Sequence, residues 1–312
     1  MKGLKLSEKF YKEFGEPMLK EQFASVLPYL AVGLCGSGSE CMGFDDALSR
    51  DHDFEPAFCI FIPDEDVLDS KTVFELERAY GKLPREFEGF KRNYLTVGEK
   101  RHGVIKIGDF YKAKTGRDDG VLTLGDWLSI PEYSLKEATN GQVFFDNYGL
   151  FTSIREKLSY YPEEIRLKKL AGHLLLMGQA GQYNYKRCVL RNDSAAAQMA
   201  MFEFVKNALN VIFLLNKTYM PYYKWAFYAL KDLEILGDLS EPLEYLISSG
   251  NDEKSANKKV QLIEDICAHI AAAINSEVIT KTSGGQMEAL AYCVNNTIKD
   301  GNLRNLHILS AV

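Results

Sequence analysis

A short stretch of small residues, Gly36-Ser37-Gly38-Ser39-Glu40, lies between two apolar segments and precedes the acidic pair of Asp51-His52-Asp53. The apolar segments, residues 29–34 and 57–62, are predicted to be strands. Glycine lets a backbone approach a phosphate closely, and free amides at a turn attract anions. Alternate residues of a strand face the same side, so Asp51 and Asp53 would present their carboxylates together. The stretch predicts a site for a nucleotide triphosphate and a divalent metal.

Each part of this pattern is weak alone, because Gly-Ser turns are common and two acids at a strand start are often only solvated. The turn lacks the Gly-Lys-Ser/Thr of a P-loop, and its glycine spacing differs from the dinucleotide fingerprint. The order of strand, turn, acid pair and second strand favours the metal site. Carboxylate oxygen is the ligand that Mg²⁺ prefers, so Asp51 and Asp53 are predicted to hold Mg²⁺ or Mn²⁺.

The composition limits the possible partners. The 312 residues suffice for two domains with their own cores, and the formal net charge is −6. Long nucleic acid is not expected as a partner, because the net charge is negative and no stripe of Lys and Arg is present. Short RNA ends remain possible partners, because they need few phosphate contacts.

The N-terminus has no signal-peptide core, and no segment approaches the length of a membrane span. The six cysteines are scattered along the chain. We expect a cytoplasmic protein with reduced thiols and no membrane partner; the oligomeric state stays open.

The order of the predicted elements indicates an α+β fold in two domains. Residues 1–150 alternate helices with short strands, which is typical of a small mixed sheet with flanking helices. Residues 151–312 are almost wholly helical, and Ala195–Leu215 is predicted to be the central helix of a bundle. Lys254, Lys258 and Lys259 are predicted to form an exposed helix face. The predicted helices of this second domain are 162–182, 193–217, 221–236, 240–249, 255–275 and 284–299.

Gly38-Ser39 followed by Asp51-x-Asp53 at the start of an apolar strand resembles the polymerase-β-type nucleotidyltransferase superfamily. More narrowly, the segments 38–41, 43–46 and 49–54 resemble a bacterial family of unassigned function within that superfamily. The resemblance extends loosely to Tyr160–Glu163 and Pro221–Trp225, and so covers most of the chain up to about residue 235. These motifs are specific for the superfamily but not for a substrate.

The resemblance implies a nucleotidyltransferase domain over residues 1–150. It also implies a helical domain over 151–312 that closes over the nucleotide and binds the acceptor, as in aminoglycoside nucleotidyltransferases. A hydroxyl of a small molecule or short RNA would attack the α-phosphate of a nucleoside triphosphate, by expectation ATP. Gly38 and Ser39 would bind phosphates, and Asp51 and Asp53 would hold the metal. The transferred group would be a nucleoside monophosphate.

One departure from the superfamily pattern concerns the third carboxylate, which usually lies on a later strand. Here the matching segment, 104–107, carries Lys106, and Asp109 follows it. We predict Asp109 as the third catalytic acid if the strand extends or bulges, with Glu40, Asp45 and Asp46 as alternatives. Without a third acid, the chain would be a degenerate nucleotide-binding or interaction protein. Toxin-like transfer to a protein or tRNA is a further alternative.

The helical domain carries two aromatic and basic clusters. Arg187 lies at the junction between two predicted helices, where a guanidinium suits phosphate binding, and a solvated loop is the alternative. Tyr223 and Lys224 follow Pro221, where a ring could stack on a base and an ammonium could reach a phosphate. A helix start packed in the core is the alternative there. We predict that Arg187, Tyr223 and Lys224 bind the nucleotide.

Overall fold

The structure is a computed structural model, and it describes residues 1–48, 54–92, 101–277 and 285–312. The chain forms two compact units. The first unit comprises residues 1–126 and 133–159, and the second comprises residues 127–132 and 160–312. The short segment 127–132 therefore joins the second unit before the chain returns to the first. The functional domains 1–150 and 151–312 stay a prediction.

A four-stranded mixed sheet organises the first unit, with the strand order β5-β2-β1-β6. Strand β1 pairs antiparallel with β2 and β6, and β2 pairs parallel with β5. The central strands β1 and β2 are buried at every position, which explains their continuous apolar sequences. The strands are β1 (Ala31–Leu34), β2 (Cys59–Ile62), β3 (Glu86–Phe87), β4 (Phe90–Lys91), β5 (Gly103–Lys106) and β6 (Gln142–Asp146), of which β3 and β4 form a separate hairpin.

Helices flank this sheet and complete its core. Phe10 and Phe58 pack together with Tyr80, whose hydroxyl donates to the Phe58 carbonyl at 2.8 Å. The helices are α1 (Gly3–Phe10), α2 (Glu16–Gln22), α3 (Ser70–Gly81), α4 (Ile107–Thr115), α5 (Leu124–Ser129), α6 (Glu132–Thr139) and α7 (Leu150–Lys157). A π-helical turn, Tyr11–Gly15, connects α1 to α2. Short 3₁₀ turns lie at Leu27–Tyr29 and Glu40–Met42.

Strand β6 has no counterpart among the predicted elements. Its burial is intermediate at four positions and exposed at one, so it lacks the alternation that marks a half-buried strand. The turn signal Asn140-Gly141 directly precedes it. The strand is recognisable only from its pairing with β1, which joins residues more than a hundred positions apart.

The second unit is all-α, and each of its predicted helices is present with shifted ends. Helix α8 continues through a π-helical segment, Gly178–Tyr185, into α9, and the predicted helix therefore extends beyond residue 182. The α+β fold class, a mixed-sheet unit followed by a helical unit, is confirmed. The helices are α8 (Glu163–Met177), α9 (Lys186–Leu190), α10 (Ser194–Leu215), α11 (Tyr223–Leu230), α12 (Ser240–Ser248), α13 (Glu253–Ser276), α14 (Met287–Thr297) and α15 (Gly301–Asn305), with a 3₁₀ turn at Gly237–Leu239.

Helix α10 is the central helix of this unit. By length and composition alone it could cross a membrane, so the prediction that no segment approaches that length is wrong for this helix. Of its apolar window, 72% is buried inside the structure. A helix that is apolar all round shows this burial when it packs in the core of a bundle. The absence of a membrane partner stays a prediction.

Buried charged side chains hold several segments of the second unit together. Lys168 donates to the Leu306 carbonyl at 2.7 Å, and Lys169 donates to the Ala311 carbonyl at 3.1 Å. The Arg166 guanidinium pairs with Glu163 at 2.6 Å. Lys259 is also buried and donates to the Ser249 carbonyl at 2.9 Å, so its predicted exposure is wrong. Each of these cations has partners, as a buried charge requires.

His173 makes the stability of this unit sensitive to pH. Burial lowers its pKa to about 4, and Nδ1 lies 2.8 Å from Asn207 Oδ1. An unfolded histidine has a pKa near 6.5. The unfolded chain therefore binds more protons between these values, and stability that is present above pH 6.5 is lost as the pH falls towards 4. The loss amounts to about 3 kcal/mol at roughly 1.4 kcal/mol per pKa unit.

We expect the melting temperature of the wild-type chain to fall more steeply between pH 7 and pH 4.5 than that of His173→Gln. Glutamine keeps a donor for Asn207 but does not titrate, and Glu132 is common to both proteins. Differential scanning calorimetry across this pH range measures the two slopes. Equal slopes would show that His173 does not cause the acid sensitivity.

Candidate functional site

The turn after β1 has a backbone that only glycine adopts easily. Gly36 has φ 107° and Gly38 has φ 124°. A Cβ atom added to Gly38 would collide with Arg101 Nη2 and with the Glu40 carboxylate. The backbone at Gly38 therefore lies directly against charged side chains. The phosphate contact expected at Gly38 stays a prediction.

The first residue of the turn is fixed by the side chain of Asn140, which is buried. Asn140 Oδ1 accepts from the Gly36 amide at 2.8 Å, and Nδ2 donates to the Gly36 carbonyl at 2.8 Å. Arg155 donates in turn to the Asn140 carbonyl at 2.6 Å. The turn is therefore held in one conformation by the residues that lead into β6.

The middle of the turn has donors that no acceptor among the described residues uses. In the described part of the chain, the amides of Gly38 and Ser39 and the Ser39 hydroxyl donate to no acceptor. Gly38 and Ser39 are both partly exposed residues. Beside them, burial and the neighbouring Glu40 raise the pKa of Cys41, so its thiol stays protonated and contacts the Ser37 carbonyl at 3.6 Å. Two amides and a hydroxyl at one turn suit an anion.

Two cations contact this turn through Ser37. Arg101 Nη2 donates to the Ser37 carbonyl at 2.8 Å and to Glu40 Oε1 at 2.7 Å. Lys114 Nζ donates to Ser37 Oγ at 2.9 Å and lies 3.0 Å from Glu137 Oε2. Ser37 Oγ donates to the same Glu137 oxygen at 2.9 Å. The Lys114 side chain is only 8% exposed, so this ion pair is largely shielded from solvent.

Three of these charged residues, Arg101, Lys114 and Glu137, were not predicted from the sequence. Arg101, Lys114 and Glu137 lie 64, 77 and 100 positions from Ser37, and no local pattern reports such contacts. One weak signal was available for Lys114. It follows Phe110 at helical spacing, and the Phe110 ring packs against Gly36, so both side chains lie on the face of α4 that meets the turn.

The predicted metal ligands Asp51 and Asp53 lie outside the described residues, as do Ser49, Arg50 and His52. Within residues 1–48, 54–92, 101–277 and 285–312, no group of three or more His, Cys, Asp or Glu is placed to hold a metal ion. The metal site therefore stays a prediction that depends on Asp51 and Asp53.

The alternative acids near the turn have local partners. Glu40 pairs with Arg101, as described above. Asp45 is buried and accepts from the Gly3 amide at 3.0 Å, which fixes the start of α1. Asp46 is exposed and accepts from the Leu48 amide at 2.9 Å. These contacts give Asp45 and Asp46 structural roles in the described part of the chain.

Asp109 does not extend a strand. Strand β5 ends at Lys106, and Asp109 is an exposed residue in the first turn of α4. It lines a cavity of about 410 Å³ together with Lys106 and Glu77. Lys106 itself pairs with Glu65 at 2.7 Å. At five residues' spacing, Asp109 lies roughly 140° around α4 from Lys114, which contacts the turn. Its catalytic role stays a prediction.

Arg187, Tyr223 and Lys224 belong to the second unit. The Arg187 guanidinium lies 3.9 Å from the centroid of the Tyr183 ring, and Lys224 Nζ lies 5.2 Å from that of Trp225. Tyr223 is 73% exposed, which contradicts the core-packed alternative for its ring. Arg187 precedes α10 and Lys224 follows it, and that 22-residue helix is roughly 33 Å long. Between described atoms, no contact joins Arg187 to Lys224.

The similarity of this chain to known proteins is remote. A family model described as a domain of unknown function (DUF4037) matches residues 127–226, less than half of the chain, including Tyr160–Glu163 and Pro221–Trp225. No curated protein matches. Among solved structures, a nucleotidyltransferase-like protein from Exiguobacterium sibiricum 255-15 is similar at 10% identity and a TM-score of 0.37. The similarity covers 89% of this chain and 78% of that chain, and it is too remote to bear on fold or function.

Proposed function

We propose that this chain is a metal-dependent nucleotidyltransferase. It would move a nucleoside monophosphate from a nucleoside triphosphate, by expectation ATP, to a hydroxyl of a small molecule or short RNA. One observation carries the proposal: at the glycine turn after β1, the donors of Gly38 and Ser39 have no acceptor among the described residues. In sequence, this turn is followed by the acid pair of Asp51 and Asp53.

The turn supports the proposal through preorganisation. Asn140 fixes Gly36 from both sides, so the donors at Gly38 and Ser39 have a set direction before any ligand binds. Phosphoryl transfer depends mainly on positioning and on stabilising charge, and fixed backbone amides supply both at little reorganisation cost. Gly38 and Ser39 would hold phosphate oxygens while the acceptor hydroxyl approaches the α-phosphorus.

Asp51 and Asp53 would hold Mg²⁺ or Mn²⁺, because two carboxylates at alternate positions are the donor set that such ions prefer. When bound, the metal would neutralise phosphate charge and favour deprotonation of the attacking hydroxyl. Asp109 remains the proposed third acid. Arg187, Tyr223 and Lys224 remain proposed nucleotide contacts of the helical domain, 151–312.

Isothermal titration with ATP, with and without Mg²⁺, tests the metal assignment. We expect Asp51→Asn and Asp53→Asn to lower the Mg²⁺-dependent affinity by about tenfold or more, which corresponds to 1.4 kcal/mol. Asp66→Asn is the matched control, because Asp66 is an exposed acid of the same unit. Equal affinity in all four proteins would refute the assignment of Asp51 and Asp53.

A second candidate is a nucleotide-binding protein without transfer activity. It is favoured by Lys106, which ends β5 in an ion pair with Glu65, and by the helical position of Asp109. Pyrophosphate release distinguishes the two. Release with a hydroxyl-bearing small molecule or short RNA supports transfer, and ATP binding without release from any acceptor supports the second candidate. Labelled nucleotide appearing on tRNA or protein would instead support the toxin-like alternative.

A further inference from the structure

Among the described residues, two cations at the Gly36–Glu40 turn form ion pairs with carboxylates. Arg101 pairs with Glu40 at 2.7 Å, and Lys114 pairs with Glu137 at 3.0 Å. The side chains of all four residues are mostly buried, with exposed fractions between 8% and 20%. In the described part of the chain, these four side chains form two close ion pairs at the turn. In this arrangement, the carboxylates offset the positive charge that would attract an anion.

Both cations lie within one residue of the unused donors. Arg101 reaches the turn through the Ser37 carbonyl and Lys114 reaches it through the Ser37 hydroxyl, and Gly38 follows directly in the chain. Consecutive Cα atoms are only about 3.8 Å apart. A polyphosphate that accepts from the amides of Gly38 and Ser39 would consequently have further oxygens within reach of the two cations.

We propose that Arg101 and Lys114 bind the triphosphate, and that Glu40 and Glu137 are exchangeable counter-ions that hold these cations in place until it arrives. The inference rests on the proposed function, and it adds the residues and the charge exchange to that site. A triphosphate carries more charge than a carboxylate and offers several acceptors, so it competes effectively for both cations.

Lys114 is the better residue for the test. Its ammonium has three rotatable donors on a flexible stem, so it can keep its bond to Ser37 while exchanging Glu137 for a phosphate. A purely structural role is the alternative, because Lys114 on α4, Glu137 on α6 and Ser37 together connect three segments of the first unit. In that case, loss of either charged partner would loosen the turn and weaken anion binding.

Titration of the full chain with inorganic tripolyphosphate separates these roles. We expect Lys114→Met to weaken binding about tenfold or more, and Glu137→Gln to tighten it about threefold, because a competing carboxylate is removed. Lys112→Met is the control, since Lys112 is an exposed cation of the same helix. Melting temperatures measured in parallel identify any variant that has not folded. If folded Glu137→Gln binds tripolyphosphate more weakly than the wild-type chain, the proposal that phosphate replaces Glu137 on Lys114 is overturned.

The experiments can refute this inference without refuting the proposed function, and the proposed function without refuting this inference. Tripolyphosphate binding needs neither a nucleobase nor transfer chemistry. The expected opposite shifts in a protein that transfers no nucleotide would support the inference and refute transfer. Mg²⁺-ATP binding that depends on Asp51 and Asp53 but not on Lys114 or Glu137 would overturn the inference and support the metal assignment of the proposed function. No binding of tripolyphosphate by the wild-type chain would overturn the inference.

Discussion

Gly38→Ala is expected to abolish detectable tripolyphosphate binding and to lower the free energy of unfolding by about 3 kcal/mol. Forcing alanine to φ 124° strains the backbone, and such positions cost of order 1–3 kcal/mol. The new methyl group would also displace the ends of the Arg101 and Glu40 side chains, which contact each other at 2.7 Å. Relief of either strain moves the amides that are proposed to bind phosphate.

Gly43→Ala is the matched control for this substitution. Gly43 also has a positive φ, 72°, but an added Cβ would meet no atom within 4 Å. We expect a cost of about 1 kcal/mol from the left-handed conformation alone, with anion binding retained. Urea denaturation and isothermal titration measure both effects. Equal stability losses in the two variants would show that the close approach of Arg101 and Glu40 to Gly38 is unimportant.

Lys169→Met is expected to destabilise the second unit by about 3 kcal/mol, because it leaves a mostly buried carboxylate, that of Glu132, without its cation. Lys169 Nζ lies 3.0 Å from Glu132 Oε1, and the lysine side chain is 3% exposed. Burial acts to raise the pKa of Glu132, but the charge and hydrogen bond of Lys169 outweigh this effect and lower it. The Tyr161 hydroxyl, 3.2 Å from the same oxygen, cannot replace the lost positive charge.

The double variant Lys169→Met/Glu132→Gln tests the reason for this loss. It removes both charges, and we expect it to recover a large part of the stability that the single variant loses. Chemical denaturation followed by circular dichroism gives the free energy of unfolding for each protein. A double variant no more stable than Lys169→Met would show that packing or the bond to the Ala311 carbonyl, rather than the unpaired carboxylate, causes the loss.

Strand β1, the glycine turn after it and strand β2 could be predicted, because each is marked by a pattern of neighbouring residues. Apolar runs mark β1 and β2, and two glycines mark a backbone that other residues avoid. The groups that complete the turn could not be predicted. Asn140 bonds to Gly36 across 104 positions, and the turn signal of Asn140-Gly141 says nothing about that partner.

The helical unit could be predicted as a set of helices but not as a pattern of buried charge. Apolar periodicity locates helices, whereas a lysine in a helix is expected at the surface unless its partner is known. Lys168, Lys169 and Lys259 are buried because carbonyls and side chains from distant segments surround them. A single sequence does not report these tertiary contacts.

The path of the chain between the two units determines where the protein can be divided into fragments. Residues 127–132 belong to the second unit although residues 133–159 return to the first, so neither unit is one uninterrupted piece of sequence. A fragment beginning at residue 160 would lack Glu132 and keep Lys169 buried without its carboxylate. Exchange of the helical unit between relatives would therefore have to begin near residue 127, where the family match also begins. The intervening part of the first unit would then have to be transferred with it.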